Sequence, residues 1–501
     1  MTTTPSAPEA LPAILSPQAR ARIMVGVVLA VLLASLDQTI VAAAGPRIQQ
    51  ALSVTPALYA WLTIAYLVTS TVTLPVAGKL GDLYGRRPVM LGGIAVFVLG
   101  SLLCGLAWNA GALILFRALQ GLGAGALLAG TGATVADLYP PLERARVQGL
   151  LGAVIGVSSI LGPLVGGALT DALSWPWVFF VNVPLGLLAL WVIWARLPGR
   201  ATAPWRGPVD VPGALLLTLA VVSLLLALSL GKTAPAPGEL AFAWTSWPIL
   251  TLLTTFAAAL VAFLHVERRA ADPLLDLRLF RDRTFALGVS AVFVLGASLL
   301  TTGVFLPLFL INVVGVSATA AGLSTTPLMF ALIASSILSG LLTTRLGRYK
   351  SVMLGGLAVL FVGFVLLGFT LSPQSSALEV SLKMIVVGIG FGPVVSLYTL
   401  AVQNALPPAQ TGVATSSVGF FQQLGGSAGL AVLGAVFAAS LSANLPDLPT
   451  DGAAVREAYT SAVSTVFRLG ALIVVLGAAV TVFLPGRPLR AGAALPQAPV
   501  P

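Results

Sequence analysis

The sequence predicts an all-α polytopic membrane protein with fourteen spanning helices. Three observations lead there. Of the 501 residues, 57% are hydrophobic and 8% are charged, against about 25% charged in a soluble globular domain. Apolar runs of roughly 20 residues, the length that crosses a bilayer, recur from one end of the chain to the other. The connections between these runs alternate between arginine-rich and arginine-poor.

The spans are expected at about 23–45, 57–77, 88–108, 111–136, 147–170, 176–196 and 209–230, then 246–266, 284–312, 318–342, 351–371, 377–404, 411–440 and 459–484. Gly (52) and Pro (34) are abundant, as close helix packing and tolerated helix breaks in membranes allow. The polar Met1–Ala19 stretch does not read as a cleavable signal, so the first span should direct insertion.

One side of the membrane receives Arg20 and Arg22, Lys79, Arg86 and Arg87, Arg144 and Arg146, Arg196, Arg200 and Arg206. It also receives the arginines from Arg268 to Arg283, then Arg345, Arg348 and Lys350, and finally Arg487 and Arg490. The other side has Arg47, Lys232 and Arg456. The positive-inside rule then makes both termini cytoplasmic, which requires an even number of spans. Trp108, Trp175, Trp177, Trp244 and Trp247 fall at the outer interface and Trp194 and Trp205 at the inner one, as aromatic belts do.

The net charge of +10 is spread over these loops and forms no basic module interleaved with aromatics, so no nucleic-acid partner is expected. The single Cys104 and single His265 leave no disulfide, metal cluster or nucleophile–base pair, which argues against an enzyme. His265 ends a span beside Glu267 and Arg268 and reads as an interfacial residue.

An internal repeat recurs at an offset near 262 residues. Gly78-Lys79-Leu80-Gly81-Asp82-Leu83-Tyr84-Gly85-Arg86 matches Gly340-Leu341-Leu342-Thr343-Thr344-Arg345-Leu346-Gly347-Arg348, and Gly162-Pro163-Leu164-Val165-Gly166 matches Gly425-Gly426-Ser427-Ala428-Gly429. Gly121–Gly125 faces Gly388–Gly392 at a slightly larger offset. The repeat divides the chain into a tail (1–22), an N-terminal six-helix bundle (23–200), two inserted helices with a linker (201–283), a C-terminal six-helix bundle (284–485) and a second tail (486–501). Parallel repeats of this kind build transporters with the substrate site between the halves. No selectivity filter or charged pore ring suggests a channel.

Charges inside spans mark candidate function. Asp37 lies within the first span and Arg117 about two turns into the fourth, where a guanidinium needs an acceptor; a direct pair cannot be read from sequence. Lys383 sits at a similar depth in the twelfth span and Arg468 in the fourteenth, without a clear mid-membrane acid in that half. Glu379, four residues before Lys383, can pair with it along one helix face. The alternative is that these cations hold an anionic group or repel cationic substrates.

The run Gly78 to Arg87 resembles the loop motif G-x-L-x-D-x-x-G-R-R of the major facilitator superfamily, and Arg117-Ala118-Leu119-Gln120-Gly121 resembles its fourth-helix motif. Gly152, Gly156, Gly162-Pro163 and Gly166-Gly167 resemble its antiporter motif, a glycine ridge with a bend that can rock against a partner helix. Leu36–Val41 with Pro46, Trp61 and Tyr66, Trp175–Gly186, Pro273–Phe280 and Gln423–Gly426 together resemble the fourteen-spanner drug:proton antiporter-2 family (EmrB/QacA type). Three positions depart from that family's pattern: Ala42 for an asparagine, and Pro176 and Gln422 each for an arginine.

The resemblance implies the major facilitator fold, two six-helix bundles plus two inserted helices, and proton-driven export of lipophilic or cationic small molecules. It implies the cytoplasmic membrane of a bacterium as location, a monomer in the lipid bilayer, and no cofactor beyond the proton gradient. Low dielectric disfavours the charged form of a carboxylate, which lets a membrane-embedded acid exchange protons near neutral pH. Asp37 is therefore the expected proton carrier, tuned by Arg117 and Gln120. Gly78, Asp82, Gly85, Arg86 and Arg87 form the expected conformational latch, with Asp82 paired to an arginine such as Arg144 or Arg146. Tyr66, Phe305, Phe309, Lys383, Phe420, Phe421 and Gln422 are candidate cavity residues. An exporter of an endogenous lipid or metabolite on the same scaffold is the alternative.

Overall fold

The computed structural model describes residues 16–52, 56–199, 210–232, 242–270, 272–316, 318–407, 410–444 and 452–486. Most of both tails and the stretch holding Arg200, Trp205 and Arg206 lie outside the described residues, as do Arg487, Arg490 and the side chains of Ala42, Pro46 and Arg146.

Fourteen helices are long and apolar enough to cross a membrane. The N-terminal half contains α1 (Pro17–Ala51), α2 (Pro56–Tyr84), α3 (Arg86–Gly105), α4 (Ala110–Leu138), α5 (Pro141–Ala172) and α6 (Trp177–Arg196, broken for one residue at Val181). Next come α7 (Val211–Leu230) and α8 (Trp247–Glu267). The C-terminal half contains α9 (Arg283–Val314), α10 (Thr326–Leu346), α11 (Tyr349–Thr370), α12 (Ala377–Ala405), α13 (Thr411–Asn444) and α14 (Gly452–Val482).

Short polar side chains start several of these helices by accepting from orphan N–H groups. Asn109 caps α4 through Ala112 N at 2.8 Å, Ser376 caps α12 through Glu379 N at 3.2 Å, and Asp282 caps α9 through Thr284 N at 2.8 Å. One span differs from the sequence reading. The run expected from 318 splits into a short helix, Ala318–Ser324, and α10 proper, because Pro327 in the first turn favours a fresh start over continuation.

The helices are apolar on most faces, so burial cannot be read from periodicity as in a soluble bundle. Leu115, Leu215, Phe330, Phe369 and Phe483 point outward, where a bilayer rather than water would solvate them.

Pairwise packing reproduces the sequence repeat. In the N-terminal half α2 packs on α4, α3 on α4, α1 on α5 and on α6, and α3 on α6. In the C-terminal half α10 packs on α12, α11 on α12, α9 on α13 and on α14, and α11 on α14. The halves meet along two main seams, α5 against α10 and α2 against α13, with α4 also touching α13 and α5 touching α12. The inserted helices pair with each other, and α7 lies beside the second seam, touching both α2 and α13.

Gly85, between α2 and α3, has φ +94°, and its repeat counterpart Gly347, between α10 and α11, has φ +64°. Both turns use backbone conformations that favour glycine. Gly85→Ala is expected to destabilise the protein by about 1–3 kcal/mol, seen as a lower unfolding temperature of the detergent-purified protein.

Candidate functional site

Asp37 and Arg117 meet. Arg117 Nη1 donates to Asp37 Oδ2 at 2.6 Å, and the two side chains are 2% and 0% exposed. Gln120 Nε2 and Asn182 Nδ2 donate to Asp37 Oδ1 at 2.8 and 2.9 Å. The carboxylate thus collects three donors from α4 and α6. Arg117 also donates to Gln120 Oε1 at 2.8 Å and, through Nε, to the Leu62 carbonyl at 3.4 Å. Its guanidinium lies over the Tyr66 ring at 4.3 Å, a cation–π contact strengthened by the absence of water.

Further groups hold this centre in register. Asn182 also donates to Ser101 Oγ at 3.1 Å, and Ser101 donates to the Phe179 carbonyl at 2.9 Å. Cys104 Sγ lies 3.7 Å from Gln120 Oε1. Asn182 lies inside the Trp175–Gly186 motif, yet its carboxylate partner appears only once α6 is packed against α1. Ser101, one small hydroxyl in an apolar helix, carries no sequence signal.

The antiporter-motif helix lies beside this centre. Thr39, two residues beyond Asp37, donates to the Ser158 carbonyl of α5 at 3.0 Å. A Cβ on Gly162 would strike Thr39, so glycine is what lets α1 and α5 approach. Further along α5, Gly149 packs against Ile337 and Gly156 against Ile333 and Met329 of α10. Gly152 and Gly167 meet no neighbouring atom, Gly166 is buried with its carbonyl accepting from Thr170, and Pro163 lies inside the helix.

The motif loop forms a second constellation across the seam between the halves. Asp82 accepts from Gly412 N at 3.0 Å and Val413 N at 2.8 Å, the first backbone donors of α13. A carboxylate at a helix N-terminus also meets the positive end of the helix dipole. Arg86 grips Asp82 at 2.6 Å and Asp137 of α4 at 2.9 Å. A Cβ on Gly78 would strike Ser416, so α2 and α13 touch backbone to side chain there.

This corrects two expectations. The arginine on Asp82 is Arg86. Arg144 instead donates to the Ala136 and Tyr139 carbonyls, at 2.6 and 2.8 Å, and to Gln403 of α12 at 3.4 Å. Arg87 lies off the latch and donates to the Trp194 carbonyl at 2.6 Å.

The candidate cavity residues divide. Tyr66, Phe305, Phe309 and Phe420 are buried side chains of the core rather than an open cavity wall. Phe421, half-buried, packs edge-on against Phe280 of the linker. Gln423 bridges the halves by accepting from Thr71 at 2.6 Å; its half-buried neighbour Gln422 packs its backbone carbonyl toward Gly296 of α9. Lys383 is buried and pairs with Glu379 at 2.5 Å while donating to the Thr370 carbonyl at 2.9 Å. Arg468 donates to the Gly368 carbonyl at 2.7 Å and covers the Phe369 ring. Both cations therefore cap the C-terminal end of α11, where the dipole and the orphan carbonyls call for positive charge.

The sequence profile of the Major Facilitator Superfamily matches residues 27–430. The chain belongs to the major facilitator superfamily. It is 39% identical over 419 residues to multidrug transporter protein MdtP of Bacillus subtilis, a match covering 83% of this chain and 75% of that one. It is 36% identical over 415 residues to multidrug resistance protein 3 of the same bacterium, covering 83% of this chain and 79% of that one. Among solved structures, the human organic anion transporter MFSD10 superposes with a TM-score of 0.63 at 17% identity, covering 92% of this chain and 100% of that one. At that identity the likeness is one of fold. As a superfamily member, this multi-pass chain is a transporter, not an enzyme.

Asp82→Ala should loosen the α2–α13 seam. Hydrogen bonds to a charged group are worth about 1.5–3 kcal/mol each, so the closed arrangement should lose about tenfold or more in population. Distances between spin labels on α2 and α13 check this; an unchanged distribution would exclude the latch. Lys383→Ala should cost about 1 kcal/mol of stability and leave the range of transported compounds unaltered in a resistance panel.

Proposed function

We propose that this chain is a proton-coupled antiporter that exports lipophilic or cationic small molecules across the bacterial cytoplasmic membrane by alternating access. It works as a monomer with its arginine-rich side and both termini in the cytoplasm, and the proton gradient, not a cofactor, is its energy source. The observation that carries this reading is the Asp37–Arg117 pair, held without water in the N-terminal half beside the glycine face of α5. The relatives named as multidrug proteins support the substrate class.

The arrangement suggests how a proton does work here. In this conformation Asp37 accepts three hydrogen bonds and neutralises Arg117. A proton arriving on Asp37 removes that neutralising charge, leaving a buried guanidinium that must move toward another acceptor or water. Arg117 rests on Tyr66 and the Leu62 carbonyl of α2, while Asp37 is two residues from the Thr39 contact with α5. Its displacement therefore loosens α1 and α2 against α4 and α5. Both seams with the C-terminal half are made by α2 and α5, so a proton on one residue biases which end of the molecule is closed.

Asp37 is sealed in this conformation, so substrate need not touch it. A cationic substrate entering between the halves competes with the proton through Arg117, by repelling the freed guanidinium back toward an ionised Asp37. Asp37→Asn keeps the size and an acceptor but cannot cycle a proton. It should abolish uphill export driven by a pH gradient in proteoliposomes while leaving membrane insertion intact. Concentrative export at the wild-type rate would refute the assignment.

A further inference from the structure

Two more carboxyl groups face each other away from Asp37, at the arginine-rich ends of α7 and α8. Asp210 caps α7: its Oδ1 accepts from Gly213 N at 2.8 Å, and its Oδ2 is buried without a hydrogen-bond donor. Glu267, the last residue of α8, is 3% exposed. Its Oε2 accepts from Leu275 N at 3.3 Å, and its Oε1 is buried without a donor. The two unpartnered oxygens occupy one spot, since a Cβ on Gly213 would strike both. Both oxygens lie less than 3 Å from that one point.

Two ionised carboxylates do not stay in that position. Like charges at contact in a dry site repel, and each would also lose its hydration. A neutralising partner is needed. Among the described residues no group of three or more His, Cys, Asp or Glu side chains can hold a metal ion. Arg268 and Arg269, next in the chain, are exposed, as is His265. Lys79 of α2 is engaged by Asp272 at 2.5 Å. Among the described residues the charged side chain that faces Glu267 is Asp210 itself. A single proton between the oxygens satisfies both.

We propose that Asp210 and Glu267 share one proton, and that this proton clasps the two inserted helices to each other and to the linker entering α9. The clasp has reach. Glu267 also holds the backbone of Leu275, just ahead of the turn leading into α9. Five residues after Glu267, Asp272 ties the same linker to Lys79 in the motif loop of α2. Loss of the proton drives the start of α7 from the end of α8 and loosens that linker. A carboxyl of the unfolded chain gives up its proton at about pH 4, whereas the folded pair keeps one to higher pH, so this contribution to stability is present at low pH and lost as pH rises.

The test is thermal unfolding of the detergent-purified protein from about pH 6 to about pH 9, comparing wild type with Glu267→Gln and with Asp210→Asn. Each amide supplies a permanent donor to the remaining carboxylate. The wild-type unfolding temperature should fall more steeply with pH than that of either variant, and both variants should be the more stable at high pH. The infrared band of a protonated carboxyl should be present in wild type near neutral pH and absent from Glu267→Gln. Equal slopes for wild type and whichever variants fold would overturn the proposal. Restoration of wild-type stability at high pH by Na⁺, K⁺ or Mg²⁺ would also overturn it, by assigning the site to a cation. Because unfolding is read rather than transport, the result is independent of the role given to Asp37.

Discussion

A charge at bilayer depth must be neutralised and fully hydrogen-bonded within the protein, and the organisation of the N-terminal half follows from that constraint. Arg117 and Asp37 come from helices α4 and α1, but neither could stay ionised with only the other for company. Gln120 on α4, Asn182 on α6, the Leu62 carbonyl and Tyr66 on α2 complete the shell, and Ser101 on α3 fixes Asn182. Five helices are thereby pinned at one point. Among the described residues the C-terminal half has no such point. Its cation at the corresponding depth, Lys383, finds an acid on its own helix and a carbonyl at the end of α11. The halves share packing and differ in electrostatics.

Helix ends supply the second organising force. Asp82 reaches across the seam to the first donors of α13, and Lys383 and Arg468 reach the last carbonyls of α11. The same complementarity serves two purposes. At α11 donor and acceptor belong to one half, and the contact is permanent architecture. At α13 they belong to different halves, and the contact ties the two halves together at this end of the molecule. Arg86, held between Asp82 and Asp137, keeps the Asp82 carboxylate aimed at its target.

Between these centres runs α5. One part of its small-residue surface admits α1 at Thr39, and another packs against α10 of the opposite half. A helix in contact with both the buried charge pair and the seam between the halves is placed to pass a small displacement from one to the other. The inserted pair, by contrast, sits beside the α2–α13 seam and is fastened to the motif loop through Lys79 and Asp272.

By itself the sequence determined the number and order of the spans, the arginine-rich side, the repeat and its turn at Gly85 and Gly347, because these depend on local composition and on offsets along the chain. It also marked Asp37 and Arg117 as charges out of place. The partners were decided only by the tertiary structure. Arg86 rather than Arg144 on Asp82, Gln423 rather than Gln422 between the halves, and Asn182 on Asp37 are choices among chemically equivalent groups, made by helix rotation and approach. In helices that are apolar on nearly every face, periodicity does not reveal rotation. For the same reason Tyr66, Phe305, Phe309 and Phe420, plausible on a cavity wall by type, are buried in this structure. Asp37 could be singled out as a lone charge, but that it is sealed beneath three donors follows from five helices meeting, which no single stretch of chain encodes.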